Sequence, residues 1–326
     1  MNLVSNYFRD LYRAGLAGWN RFWFTPSDPA TLGLIRILAG GMLFYTHLVW
    51  SIDLESFFGE RGWMSPEAVA RMQGLTGMWS YFHWIHSTTA LWIVHIAALV
   101  VFALLTLGLF SRVMAVLAYL ATVSYANRAW SMALFGLDDI NALLAMYLAI
   151  GPCGAAYSLD RLWKRSRARR ALPVEPSVSA NLVIRLIQVH MCVVYFFSGT
   201  AKLAGETWWG GQAIWNSIGN LEYQSLDLTW LANWPVLVSA MTHITVFWEL
   251  SYCVLVWPRL LRPLVIAMAV PVHLGIAIAL GMKTFGFVML IGNAAFISPA
   301  LVRRILDRRP EQGRAGEARE VEPVVA

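Results

Sequence analysis

Arg36, His47, His95, His190, Lys202, His243, Glu249 and His273 are ionisable side chains set inside long apolar runs of this sequence. A charge in such a setting is costly and usually faces a cavity or a partner, so each is a candidate for chemistry. Lys202 is the most pointed of them. The small residues Ser198-Gly199-Thr200-Ala201 precede it and permit close helix approach, and Trp208 and Trp209 follow as the elements of a lid. A lysine enclosed there is short of water, which favours the neutral amine, the form that acts as a base. The plainer reading is a lysine that snorkels to the interface from the end of a span.

Glu249 falls near the middle of another apolar stretch, where a bare carboxylate is expensive, so it should be protonated or paired with a cation. His273 lies two residues after Pro271, whose missing N–H leaves the carbonyl of Ala267 without its usual partner and tends to bend the helix. A bent helix beside a buried acid suggests that Glu249 and His273 line one polar cavity; the bland alternative is hydrogen-bonding glue between helices. His47, His95, His190 and His243 form no metal-ligand spacing and read as structural. Cys153, Cys192 and Cys253 lack CxxC spacing and lie in or beside apolar runs, so they read as packing residues, with neither a disulfide framework nor a metal site. No GxSxG elbow, HExxH, Walker loop or dinucleotide fingerprint is present.

The elements that must position these side chains follow from composition. Of 326 residues, 58% are hydrophobic and 13% charged, and the mean hydropathy is +0.55, which places the chain in a bilayer. The apolar runs are helix-length, so the fold class is all-α: a polytopic membrane protein with interfacial helices. About eight spans are expected, at Leu32–Ile52, Thr89–Phe110, Val113–Phe135, Asp139–Pro152, Leu182–Lys202, Val236–Trp257, Pro263–Gly281 and Phe285–Val302. The fourth is short for a full crossing. Residues 1–25 carry Phe8, Leu11, Tyr12, Leu16, Trp19 and Trp23 at helical spacing, which predicts an interfacial amphipathic helix rather than a cleavable signal.

The net charge of +6 reflects topology, not nucleic-acid binding. Arg112, the Arg161–Arg170 run, Arg259, Arg262, Arg303, Arg304, Arg308 and Arg309 fall in alternate connections, whereas the others hold Asp53, Glu55, Glu60, Arg61, Glu67, Asp138, Asp139, Glu206, Glu222 and Asp227, with no comparable basic excess. The positive-inside rule then places both termini in the cytoplasm, with the chain a multi-pass protein of the inner membrane. Residues 53–88 and 204–235 form long, aromatic-rich outer connections. A linker near 171–180 separates the two halves of a 26–302 transmembrane domain, and 303–326 reads as a cytoplasmic, disordered tail.

The segment Tyr195-Phe196-Phe197-Ser198-Gly199-Thr200-Ala201-Lys202-Leu203, with Trp208 and Gly211 after it, resembles bacterial HTTM (horizontally transferred transmembrane domain) proteins and the membrane domain of vitamin K-dependent γ-carboxylases. Phe247-Trp248-Glu249-Leu250 and the stretch from His273 through Phe285, Val288, Met289 and Leu290 extend the likeness. Asp28-Pro29, Leu32-Gly33-Leu34-Ile35-Arg36 and Gly108-Leu109-Phe110-Ser111-Arg112 carry it into the first half, over about residues 26–302.

The resemblance implies that Lys202 takes a proton from a reduced quinone, vitamin K or menaquinone hydroquinone. In the carboxylases, reaction with O2 then yields a base strong enough to remove the γ-proton of a glutamate, and CO2 captures the carbanion. Lys202, Glu249 and His273 are thereby implied as catalytic residues, with Arg36, Trp208 and Tyr195 at the cofactor. Three departures matter. Ala201 replaces a second lysine, Asp138 and Asp139 stand near Gly136–Asn141 where the family places a histidine, and the large extracytoplasmic domain that engages the protein substrate has no counterpart in the sequence. A secreted peptide or protein substrate is therefore expected to need a separate substrate-binding chain. The alternative class is a non-carboxylating membrane factor that assists maturation or export of a secreted peptide or toxin.

Overall fold

In hydrocarbon a backbone amide finds no partner except within its own helix or a closed barrel, so long apolar runs fold as helices. The computed structural model describes residues 3–63, 65–74, 78–129, 135–168 and 173–307. Among these, α1 spans Leu3–Phe24, α2 Ala30–Trp50, α3 Leu54–Phe58, α4 Pro66–Gly74, α5 Thr88–Leu107, α6 Ser111–Ala129, α7 Gly136–Ile150 and α8 Leu159–Ala168. The second half comprises α9 Val178–Leu203, α10 Glu206–Trp209, α11 Ala213–Ile218, α12 Pro235–Leu255, α13 Arg262–Ala279, α14 Lys283–Asn293 and α15 Pro299–Leu306. The protein is an all-α, multi-pass membrane protein.

Five of these helices, α2, α5, α9, α12 and α13, are long and apolar enough to cross a bilayer. Local signals set their ends. Ser87 and Ser177 accept hydrogen bonds from Ala90 N and Ala180 N and cap α5 and α9, and Pro235 opens α12, where its missing donor costs nothing. The expected third span corresponds to α6 as far as Ala129; residues 130–134 lie outside the described residues. The expected fourth span is α7, whose 15 residues reach about 22 Å. The expected eighth span is not one straight helix: α14 and the turn Ala294–Phe296 are bent by 112° from α15. Ser298 caps α15 and Pro299 occupies its first turn, so the chain restarts there instead of continuing.

α2, α5, α6 and α7 pack consecutively, α9 pairs with α12 and α13 with α14, and α14 and α9 lie against α2 and α7 to join the halves. One hydrophobic core runs through both, from Leu32, Leu43 and Phe102 to Met191, Tyr252 and Val288. At the arginine-rich end the halves are also tied by polar contacts. Ser27 and Ser177 exchange backbone hydrogen bonds, and Arg303 clasps Asp28 at 2.6 Å. The C-terminal end of α1 is fixed by Asn181, whose amide donates to the carbonyls of Phe22 and Trp23, while Tyr7, Phe8, Leu11, Tyr12, Leu16 and Trp19 remain exposed.

Candidate functional site around Lys202

Lys202 is the penultimate residue of α9. Its position is decided by how closely α9 approaches α12. Gly199 sits where an added Cβ would lie 3.0 Å from the Leu250 side chain and 3.1 Å from its backbone nitrogen, so any side chain there would push the helices apart by a few tenths of an ångström. That contact brings Lys202 against Glu249: Nζ donates to Oε2 at 2.7 Å and to Oε1 at 2.9 Å. Its third polar partner is Ser198 Oγ at 2.6 Å, one turn back. Trp208 of α10 roofs the ammonium, its ring centroid 5.2 Å from Nζ.

The pair is largely enclosed, with side-chain exposures of 20% for Lys202 and 8% for Glu249. Burial of two opposite charges tolerates no missing partner, and all three ammonium donors of Lys202 have acceptors. Leu203, Trp208, Trp209, Val246 and Phe247 complete an apolar cleft of about 10 Å³ beside it, room for about one water. α10 closes this cleft as a short lid. Trp209 Nε1 donates to Leu203 O, and His243 Nε2 lies 3.1 Å from Trp209 O, which ties the lid to α12.

His273 of α13 belongs to a second polar group centred on Tyr195, which lies seven residues before Lys202 on α9 and thus about 10 Å deeper on the same face of that helix. Gly286 permits it: a Cβ there would fall 2.4 Å from His273 O, so α14 presses directly on α13 at this turn. Asn293 Nδ2 donates to the Tyr195 hydroxyl at 2.7 Å, and that hydroxyl lies 2.6 Å from His273 Nε2. Since Tyr195 already accepts from Asn293, its proton is best directed to Nε2, which puts the histidine hydrogen on Nδ1. Nδ1 is buried and has no partner among the described residues. Tyr252 donates to Asn293 Oδ1 at 2.7 Å, and Trp248 and Tyr252 pack on the Tyr195 ring.

The residues expected to act together are therefore partly assembled. Lys202, Glu249 and Trp208 are in mutual reach, and Tyr195 and His273 form the adjoining inner layer. Arg36 is not among them. It is in the second turn of α2, beside Tyr157 at the arginine-rich end, and the 26-residue α9 that separates the two ends is about 39 Å long. Of the other histidines, His95 is held between Tyr125 and Ser51, His47 gives Nδ1 to Leu43 O, and His190 meets Tyr147. Near the position of the expected family histidine, Asp138 accepts from Phe135 N and caps α7. Among the described residues no three His, Cys, Asp or Glu side chains gather as a metal site, and Cys153, Cys192 and Cys253 are free.

Sequence reasoning missed Asn293 and Tyr252. Asn293 carried a readable signal, a primary amide within an apolar stretch, where such groups bond between helices. Tyr252 carried none, because a tyrosine in a span reads equally well as packing.

The sequence model of the HTTM domain family matches residues 24–300 of the chain. No curated protein and no solved structure matches it.

Proposed function

Because this chain belongs to the HTTM domain family, which is linked to the membrane domains of vitamin K-dependent carboxylases, we propose that it is a carboxylase-like membrane enzyme in which Lys202 accepts a proton from a reduced quinone. The observation that carries this reading is the enclosure of Lys202, whose amine is paired with Glu249 and roofed by Trp208 in an apolar cleft. We place the cleft on the extracytoplasmic side of the inner membrane, with both termini cytoplasmic, from the charge asymmetry of the connections.

The residues suit a flat, apolar ring in kind: Trp208, Trp209 and Phe247 supply aromatic walls, and His273 Nδ1, which has no partner among the described residues, marks an open polar position in the inner layer. A cleft of about 10 Å³ is too small for such a ring, so entry requires α10 to lift, with Gly205 and Gly210 at its two ends as pivots. A reduced quinone bound there would supply hydroxyl protons and reducing equivalents. The chain supplies the proton acceptor. For Lys202 to act as a base, Nζ gives its proton to Glu249, which converts the ion pair to a neutral amine and carboxylic acid, a change a water-poor site makes less costly than it would be outside. Ser198 Oγ then keeps Nζ aimed into the cleft. O2 and CO2 would be co-substrates if carboxylation occurs.

An open groove of about 1040 Å³ lies beside the lid, lined by Gln212, Trp215, Asn216, Ser239 and His243, and shares His243 with the Lys202 cleft. It favours a peptide segment as the second substrate. It also serves the other reading, a factor that assists maturation of a secreted peptide without carboxylating it.

Lys202→Arg separates base from anchor. Arginine keeps the charge and the length but does not deprotonate in proteins. Reconstituted with menaquinol, the full-length protein should oxidise it in an oxygen-dependent reaction, and Lys202→Arg should insert and fold yet lose that turnover. A normal rate in the arginine variant would return Lys202 to an anchoring role. Absence of turnover in the parent protein would overturn the quinone assignment.

A further inference from the structure

The other end of the molecule carries a groove that the proposed chemistry does not use. It has a volume of about 710 Å³ and runs between the end of α5, the Tyr157–Arg165 segment and α15. Among the described residues that line it, Arg161, Arg165 and Arg303 face one acid, Asp307, which Arg303 engages at 3.3 Å. Of the rest of the lining, Leu107, Ala156, Leu159, Leu162 and Val174 are apolar, and Tyr157 and Ser158 are uncharged and polar.

Behind this wall stands Arg36, fully buried in α2. Its Nη2 donates to Tyr157 O at 2.5 Å, while Nε and Nη1 have no hydrogen-bond partner among the described residues. Gly108, in the left-handed conformation at φ 72° that closes α5, leaves the space the guanidinium occupies. A buried cation with one neutral acceptor and no carboxylate bonded to it is poorly compensated, and its field is directed at the groove through Tyr157 and Ser158. The elements flanking the groove are themselves built for an interface. α8 exposes Leu162 and Trp163 beside Arg161, Lys164, Arg165 and Arg167, and α15 exposes Leu301 and Ile305 beside Arg303 and Arg304.

We propose that this groove binds the phosphodiester headgroup of an anionic glycerophospholipid, with the phosphate near Arg161 and Arg165 and the acyl chains along Leu107, Leu159 and Leu162. The paired chemistry selects the ligand. A free phosphate or nucleotide would use the cations but leave the leucine wall wet, whereas an anionic lipid satisfies both, and basic pockets at the ends of membrane helices are a recurrent site for such headgroups.

The test uses the full-length protein in phosphatidylcholine nanodiscs, titrated with phosphatidylglycerol and followed by retained lipid in native mass spectrometry and by the thermal midpoint. Phosphatidylglycerol should be retained and should raise the midpoint. The double variant Arg161→Gln, Arg165→Gln should bind it roughly 30-fold more weakly, and Arg161→Lys, Arg165→Lys should restore most of the binding, which separates a charge effect from a folding defect. Removal of two positive charges elsewhere, Arg9→Gln with Arg13→Gln in α1, should leave retention unchanged. Equal retention of phosphatidylcholine, an equal loss in the α1 control, or displacement of the lipid by millimolar inorganic phosphate would each overturn the proposal.

Discussion

Lys202 and Glu249 stabilise each other only as a pair. Each is held in a poorly hydrated site where the partner removed leaves a charge without compensation, and breaking such a pair is more damaging than replacing both members. Lys202→Ala should therefore lower stability by about 3 kcal/mol, because Glu249 retains no cation. Adding Glu249→Gln to that variant should recover roughly 0.5–3 kcal/mol of the loss. Unfolding of the single and double variants in detergent measures the coupling, and strictly additive losses would show that the two side chains do not depend on each other in the folded protein. The same reasoning explains why Lys202→Arg, rather than Lys202→Ala, is the informative test of base chemistry: it leaves Glu249 partnered.

Contacts between elements at the arginine-rich end depend on two ionised carboxylates outside the spans. Asp160 of α8 accepts from Phe110 N, Ser111 N and Ser111 Oγ, which caps the start of α6 and ties α8 to it. Asp28, just before α2, holds Arg303 of α15. For both, burial pushes the carboxyl up, but the donors outweigh it: Ser111 and Phe110 for Asp160, Arg303 and the Ala30 N–H for Asp28 hold each below its ordinary value of 3.8. A carboxyl depressed on folding contributes stability that is complete above the ordinary value and disappears as pH falls through the folded one. The thermal midpoint should thus fall on acidification below about pH 4, and Asp160→Asn should reduce the midpoint at neutral pH while flattening part of that fall. An unchanged acid profile in Asp160→Asn would mean that this cap does not couple α8 to α6.

At the scale of the whole molecule, two polar ends are separated by one apolar core. The Lys202 pair lies at one end and the Asp28, Asp160 and Arg303 contacts at the other, and α9 runs the full distance between them. The proposed orientation, with the arginine-rich end in the cytoplasm, predicts that a reporter fused after Val302 is active only in the cytoplasm and one inserted near Glu222 only outside it. The opposite pattern would move the Lys202 cleft to the cytoplasmic side and with it the compartment from which any peptide substrate must come.

The long apolar helices and the family were legible in the sequence, because they rest on local properties: apolar runs of span length and the contiguous segment around Lys202. The bend before α15 was written there too, in Ser298-Pro299, although the apolar run across it suggested one continuous span. What the sequence left open was partnership. That Glu249 should be either protonated or paired with a cation followed from its setting, but that it is paired, and with Lys202 47 positions away, depended on the closeness of α9 and α12 at Gly199. Tyr195, Asn293 and His273 come from three helices and meet only because Gly286 lets α14 press on α13. Arg36 looked equally suited to the same site and stands at the other end, since hydropathy reports that a side chain is inside the membrane but not which helix faces it. Those pairings are set by the shapes of helix surfaces in three dimensions, which no local pattern of residues encodes.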